Sequence, residues 1–299
     1  MGRVTRIIEV GPRDGLQNEP IPIPTQAKLE FIRELLAAGL REIEATSFVS
    51  PKWVPQLGDA AELWPQLPSG GLYSALVPNQ KGLERALECG VERIALFTAA
   101  SDAFTQKNIN MSVAESLEVF SEVASAFRTA LPKGWIRGYV STAFECPYAG
   151  PVEPRRVVEV AQRLIEIGVD EISVGDTIGV AVPKEVERLT SLLMSEIPAE
   201  RLAYHFHDTR GTAIANVAQA MNQGVRAFDS SAAGLGGCPY ARGAGGNLAT
   251  EDLVYFLERS GIHTAIDLDR LAHSSRAILE SLGRPPSAKA QVATLTSDD

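Results

Sequence analysis

The sequence predicts an α/β protein, a (β/α)8 (TIM) barrel with a short C-terminal helical extension, and three observations lead there. A helix-like stretch, then Gly, an aliphatic residue and a strand, recurs as Gly39-Leu40-Arg41-Glu42-Ile43, Gly90-Val91-Glu92-Arg93-Ile94, Gly168-Val169-Asp170-Glu171-Ile172 and Gly224-Val225-Arg226-Ala227-Phe228. Glycine supplies the left-handed backbone that ends a helix. The recurrences lie 51, 78 and 56 residues apart, each close to two βα units of about 30 residues. Strand-like and helix-like segments alternate with short connections, the pattern of a parallel sheet. Finally, 299 residues at 45% hydrophobic and 22% charged, with no low-complexity segment or linker, suit one barrel of ordinary size.

Taken in order, strands are expected near 4–10, 42–46, 72–77, 92–98, 136–142, 170–175, 201–206 and 226–230. Residues 25–38 read as helix, with Leu29, Ile32, Leu35 and Leu36 at helical spacing. Residues 111–129 follow, with Ser112 as N-cap and Glu115 three residues on. Residues 154–167 begin with proline in the first turn. The chain is expected to be one domain, 1–299, with the barrel over about 3–260. A helix over about 267–282 and a frayed tail complete it.

The composition narrows the function classes. Lys and Arg number 28 against 37 Asp and Glu, for a net charge of −9. That balance argues against nucleic acid or an anionic membrane as partner, though not against a local basic pocket. No apolar run approaches the length of a membrane span. The first residues lead into a strand without a signal-like apolar region. Three cysteines, Cys89, Cys146 and Cys238, with no CxxC, fit a reducing compartment, so a cytoplasmic location is expected. Cys89 reads as a buried structural residue at a helix end; Cys146 is ambiguous.

The barrel prediction can be tested against the polar residues, because catalytic groups sit at the C-terminal ends of barrel strands. Arg13 and Asp14 follow strand one; Glu44, Thr46 and Ser47 end strand two; Ser141 and Thr142 end strand five. Asp176 follows strand six, His205 and His207 end strand seven, and Ser230 and Ser231 end strand eight. His205 and His207 point to the same side of their strand, since side chains alternate, and two such imidazoles are preset to hold one metal ion. A Gly-rich loop, Ala233 to Asn247, leaves strand eight and carries Cys238. Each piece also has a plain structural reading. A strand histidine can simply be hydrogen-bonded, Arg13 and Asp14 can be an ion pair, and Glu44 and Asp176 can brace a ligand or Arg13.

Four stretches carry a resemblance beyond these motifs. They are Val10-Gly11-Pro12-Arg13-Asp14-Gly15-Leu16-Gln17-Asn18-Glu19, Glu44 to Gln56, Gly175-Asp176-Thr177-Ile178-Gly179-Val180, and Gly234-Leu235-Gly236-Gly237-Cys238-Pro239-Tyr240-Ala241. Over nearly its whole length the sequence resembles the 3-hydroxy-3-methylglutaryl-CoA lyases, metal-dependent barrels that cleave a C–C bond beside an acyl group. The resemblance implies Asp14, His205, His207 and Asn247 as ligands of a divalent metal, Mg²⁺ or Mn²⁺. It implies catalytic roles for Arg13, Cys238, Glu44 and Asp176, with Arg13 and Gln17 touching substrate. It also implies an acyl-CoA thioester as partner and a homo-oligomer, a dimer first of all. The sequence departs from the family at three places. Phe206 stands where cysteine is common, Arg210 where tyrosine is, and Glu145 where glycine is.

The implied reaction turns a 3-hydroxy-3-methylglutaryl thioester into acetyl-CoA and acetoacetate. Arg13 would stabilise the enolate and Cys238 would protonate it, with the Gly-rich loop excluding water. Three other readings compete. An acyl-transferring synthase of the same barrel group shares Arg-Asp and His-x-His but typically lacks the Cys-Pro-Tyr loop and often carries a regulatory domain. A lyase for another 3-hydroxyacyl-CoA is motivated by Glu145. A non-catalytic barrel would be favoured were Arg13, Asp14 or Cys238 missing.

Overall fold

The computed structural model describes residues 5–237 and 246–296. Cys238 lies outside the described residues. Eight parallel strands close into a barrel: β1 (Arg6–Glu9), β2 (Glu42–Ser47), β3 (Leu72–Leu76), β4 (Arg93–Ala99), β5 (Trp135–Ser141), β6 (Glu171–Asp176), β7 (Leu202–Phe206) and β8 (Ala227–Ser230). Neighbours follow chain order, and β1 pairs with β8 in the register Ile8 to Asp229. Every expected strand is present, within one or two residues at each end.

The helices follow the same local rules. Helix α1 covers Thr25–Ala37. A helix over Val113–Ala130 is capped by Ser112 and Glu115, each side chain accepting from the other's backbone N–H. Another over Pro154–Ile167 starts on its proline. No described helix is long and apolar enough to cross a membrane.

Two expectations need correction. The tail does not fray after residue 282: a helix at Lys289–Thr296 packs back onto the one at Leu268–Ser281. Gln291 is wholly buried there and donates to Ala272 O and Ser275 Oγ. Prolines 285 and 286 separate the two helices without ending the order. Cys89 is half-buried rather than buried, at the C-cap of the helix Gln80–Glu88.

Alternation along the strands sorts the core into two regions. Outward positions such as Ile43, Ile136, Val140, Ile172, Val174, Tyr204 and Phe228 pack beneath the helices. The barrel interior is only partly apolar, through Ile8, Val10, Ala203 and Ala227. Much of the rest of the lumen is polar or charged. At its base, Arg6 bonds Glu42 and Glu171, Arg93 lies 3.5 Å from Glu42, and Arg137 lies 3.1 Å from Glu171. Burying these groups is tolerable only because each faces an opposite charge.

The four recurrent glycines do what their place in the sequence implies. Gly39, Gly90, Gly168 and Gly224 have φ of 110°, 77°, 98° and 105°. A Cβ on Gly168 would meet nothing within 4 Å, whereas one on Gly39 would lie 2.5 Å from Ala265 O. Gly168→Ala should therefore lose only the left-handed backbone preference, about 1 kcal/mol. Gly39→Ala should lose clearly more, and denaturant unfolding of the two variants compares them directly.

Candidate active site

The rim above the C-terminal strand ends is assembled by two backbone devices. After β1, Gly11–Gly15 form one turn of π-helix, in which Arg13, Asp14 and Gly15 all donate to Val10 O. This turn aims Arg13 and Asp14 inward over the lumen. After β8, the chain returns from the Gly-rich loop and inserts residues 246–249 between the ends of β7 and β8. Leu248 N donates to Phe206 O, Ser231 N to Leu248 O, and His207 bridges Asn247 antiparallel. Asn247 is thereby seated beside His207 and Asp14.

Glu9, the last residue of β1, ties these devices together. Its carboxylate accepts from Gly11 N (2.7 Å), Ala232 N (3.0 Å) and Thr250 Oγ1 (2.6 Å). Glu251, likewise buried, accepts from Ala233 N, whose own φ is 57°. Burial pushes both carboxyls up to about 7.

The rim residues converge. Ligand atoms of Asp14, His205 and His207 lie within 4.8 Å of one another. Asn247 donates both amide hydrogens, to Asp14 Oδ2 (2.9 Å) and Leu235 O (2.9 Å). Its Oδ1 is left buried without a protein partner, as is Nδ1 of His207. Buried polar atoms without partners are costly, and here two of them border a carboxylate and a second imidazole. That donor set fits a divalent cation. Burial would raise the Asp14 pKa, but Arg13 and the two histidines outweigh it and hold it at about 2. Burial and the neighbouring His205 push His207 down to about 3, so its imidazole is neutral at neutral pH, the form a metal ion requires.

Beside this cluster, Arg13 is buried and fork-bonded, Nε to Glu44 Oε1 and Nη1 to Asp14 Oδ1 at 2.6 Å. Burial disfavours its charge, yet Glu44 and Asp14 raise its pKa further above the usual arginine range. Tyr139 completes the arrangement: its hydroxyl donates to Glu44 Oε2 at 3.0 Å, and Arg13 sits 5.5 Å from its ring.

Six of the residues expected at the site, Arg13, Asp14, Glu44, His205, His207 and Asn247, thus meet at one place. Gln17 lies half-buried just beyond the π-turn. Asp176 is directed elsewhere: it stands in the outward phase of β6, and its oxygens accept Val180 N and Ala181 N at 3.0 Å. Burial pushes its carboxyl up to about 6. It braces the loop after β6, where Arg210 also donates to Ile178 O and Gly179 O. Phe206 faces away from the site and stacks on Tyr204 at 4.9 Å. Cys146 is buried, its sulfur accepting from Ser101 Oγ at 3.0 Å. Arg137, Tyr139, Ser173 and Asp229 were not expected, although their odd-position spacing along β5, β6 and β8 puts them in the lumen.

Comparison with known proteins gives this arrangement a context. The family model described as HMGL-like matches residues 4–278. The chain belongs to the HMGL-like family. It is 49% identical over 292 residues to the 3-hydroxy-3-isohexenylglutaryl-CoA/hydroxy-methylglutaryl-CoA lyase of Pseudomonas aeruginosa, covering 97% of each chain. It is 50% identical over 293 residues to the hydroxymethylglutaryl-CoA lyase of Pseudomonas mevalonii, again 97% of each. A crystal structure of hydroxymethylglutaryl-CoA lyase from Pseudomonas aeruginosa superposes with a TM-score of 0.95 at 48% identity, covering 99% of both chains. The HMGL-like assignment accords with the eight-stranded barrel and with the cluster at its rim.

The two raised carboxyls of this site have a measurable signature. Between its unfolded pKa near 4.5 and its folded value of about 7, Glu251 holds a proton that the unfolded chain releases. Its contribution is therefore full below about pH 4.5 and is lost as pH rises through 7, by up to about 1.4 kcal/mol per pH unit. Glu251→Gln should flatten the fall in stability between pH 5 and 7.5. Urea unfolding across that range, parent against variant, measures it.

Proposed function

We propose that this chain is a divalent-metal-dependent C–C lyase that cleaves 3-hydroxy-3-methylglutaryl-CoA to acetyl-CoA and acetoacetate. The observation that carries the proposal is the meeting of Asp14, His205 and His207 at one point with the Arg13 guanidinium bonded to the Asp14 carboxylate. Near-half identity to named lyases over almost the full length supports the substrate class.

Asp14, His205, His207 and the free Oδ1 of Asn247 would hold the cation, and two nitrogens among oxygen donors suit Mg²⁺ or Mn²⁺ better than a closed zinc site. When bound, the cation supplies Lewis acidity that makes the tertiary hydroxyl of the substrate easier to deprotonate. Transfer of that proton to a base at the rim drives the retro-Claisen step. The C3–O bond becomes the ketone of acetoacetate, the C2–C3 bonding pair passes to C2 and is delocalised onto the thioester oxygen, and the enolate of acetyl-CoA is left. Arg13 meets the developing charge. Glu44 and Asp14 hold its guanidinium before the reaction begins, so no reorganisation is needed as the charge forms. Tyr139 fixes Glu44 in turn. Cys238 is proposed as proton donor to the enolate carbon. A thiol of ordinary pKa near 8.5 is mostly protonated at neutral pH. Asp176 is proposed to serve by holding the loop after β6 over the rim.

A second reading keeps this chemistry and changes the acyl group. Glu145 is half-buried in a short hairpin after β5, Glu145–Cys146 paired with Gly150–Pro151, an acidic side chain where the family commonly has none. One of the relatives is itself named for two glutaryl-CoA substrates. A coupled assay of acetyl-CoA release over a panel of 3-hydroxyacyl-CoA thioesters separates the two.

In that assay EDTA should abolish turnover and Mg²⁺ or Mn²⁺ should restore it; full activity after chelation would remove the cation from the mechanism. Arg13→Met should lower kcat by roughly 10²–10³ while KM changes little. A rise confined to KM would make Arg13 a binding residue only. Cys238→Ser should still bind Mn²⁺ but lose most turnover, and a variant nearly as active as the parent would exclude the thiol as donor.

A further inference from the structure

Among the buried polar groups that the proposed reaction leaves without a part, Asp229 is tied most directly to the site. It lies on β8 with its side chain in the lumen, 1% exposed. Both of its oxygens are committed. Oδ1 accepts from Arg137 Nη2 at 2.6 Å. Oδ2 accepts from Ser173 Oγ at 2.8 Å and lies 3.2 Å from His205 Nδ1.

We propose that Asp229 is a positioning residue that fixes His205 as the Nδ1–H tautomer and presents its Nε2 to the cation. The proposal rests on the reading of Asp14, His205 and His207 as metal ligands. The chemistry of the contacts dictates the tautomer. With Arg137 on one oxygen and the Ser173 hydroxyl on the other, the carboxylate is an acceptor, so the histidine nitrogen facing it must donate. The lone pair then resides on Nε2, at the opposite end of the ring. That atom is 3.9 Å from Asp14 Oδ2, beyond hydrogen-bond reach, a spacing that two ligands of one ion can span.

The two histidines are unequal in this respect. His207 has a ring nitrogen, Nδ1, with no protein partner, so nothing on that side selects its tautomer. His205 is held through Nδ1 and also meets Tyr139 edge-on, with ring centroids 6.2 Å apart. Arg137 is also paired with Glu171, 3.1 Å from its Nε, and occupies only one oxygen of Asp229. The second oxygen of Asp229 is available for an orienting role, and Ser173 from β6 sets its direction. Partners of this kind on ligating histidines typically affect metal affinity about 10–100-fold.

The test uses full-length protein labelled with ¹⁵N-histidine and loaded with Mg²⁺. Long-range ¹H–¹⁵N spectra report the tautomer, and His205 is identified by the signals that His205→Gln removes. The parent should show Nδ1–H at His205. In Asp229→Asn, the new amide can donate as well as accept, and the single-tautomer pattern should be lost. Mn²⁺ affinity, followed by electron paramagnetic resonance without substrate, should weaken about 10–100-fold in that variant. Ser173→Ala keeps the Arg137–Asp229 pair and serves if Asp229→Asn does not fold. It should weaken Mn²⁺ binding by about fivefold, the size of one hydrogen bond. An Nε2–H tautomer in the parent, or unchanged Mn²⁺ affinity in the folded variants, overturns the proposal. A parent that takes up no Mn²⁺ overturns the metal reading, and the proposal with it.

Discussion

The structure depends on keeping charge paired inside a closed ring. Arg137 is 1% exposed at the centre of the lumen, and an isolated cation there would cost several kcal/mol. It is tolerated because Glu171 lies below it and Asp229 above it. From that point the pairing continues to the rim. Asp229 meets His205, and Tyr139, wedged between two guanidiniums, meets Glu44, which holds Arg13. The rim residues are therefore the top of a column of alternating charge that begins at the barrel floor. Direct contacts thus run without a gap from the base of the barrel to the site.

The backbone adds a second constraint. The π-turn after β1 and the inserted segment at residues 246–249 both depart from regular barrel geometry, and both are needed to bring side chains over the lumen. Glu9 bonds Gly11 in the first device, Thr250 immediately after the second, and Ala232 in the chain between them. Together with the Asn247–Asp14 hydrogen bond, this side chain ties the two irregular segments to one another beyond what the strand-end backbone bonds supply. Gly236 shows how close the packing is: a Cβ there would lie 2.8 Å from the Asn247 amide and 3.1 Å from Asp14 O.

The strands and most helices were legible because their signals are local: apolar alternation, Gly after a helix, Ser112 with Glu115, proline at a first turn. His205 and His207 were legible for the same reason, since one strand sets both directions. Arg13, Asp14 and Glu44 could be placed on the rim, with an Arg13–Asp14 pair and Glu44 as a brace for Arg13 among the open readings, but the π-turn that aims them has no clear sequence signature. Asp229 and Arg137 read as ordinary charged residues; their partners lie 92 residues apart in sequence, and only barrel closure makes them neighbours. Asp176 looked equivalent to Glu44 at the end of its strand, yet one step of alternation turns it outward to cap a loop. The last helix was hidden by Pro285 and Pro286, which mark a break without saying whether order resumes beyond it.

The order of strands around the ring also has a consequence for biosynthesis. Asp14 emerges among the first residues, whereas His205, His207 and Asn247 emerge late. In the sheet, β1 touches only β2 and β8, so Asp14 is held opposite the histidines only when β8 completes the circle. Long-range closure of this kind is slow and comes after local structure has formed. A nascent chain therefore has no assembled rim until β8 and residues 246–249 have followed β1 out of the ribosome.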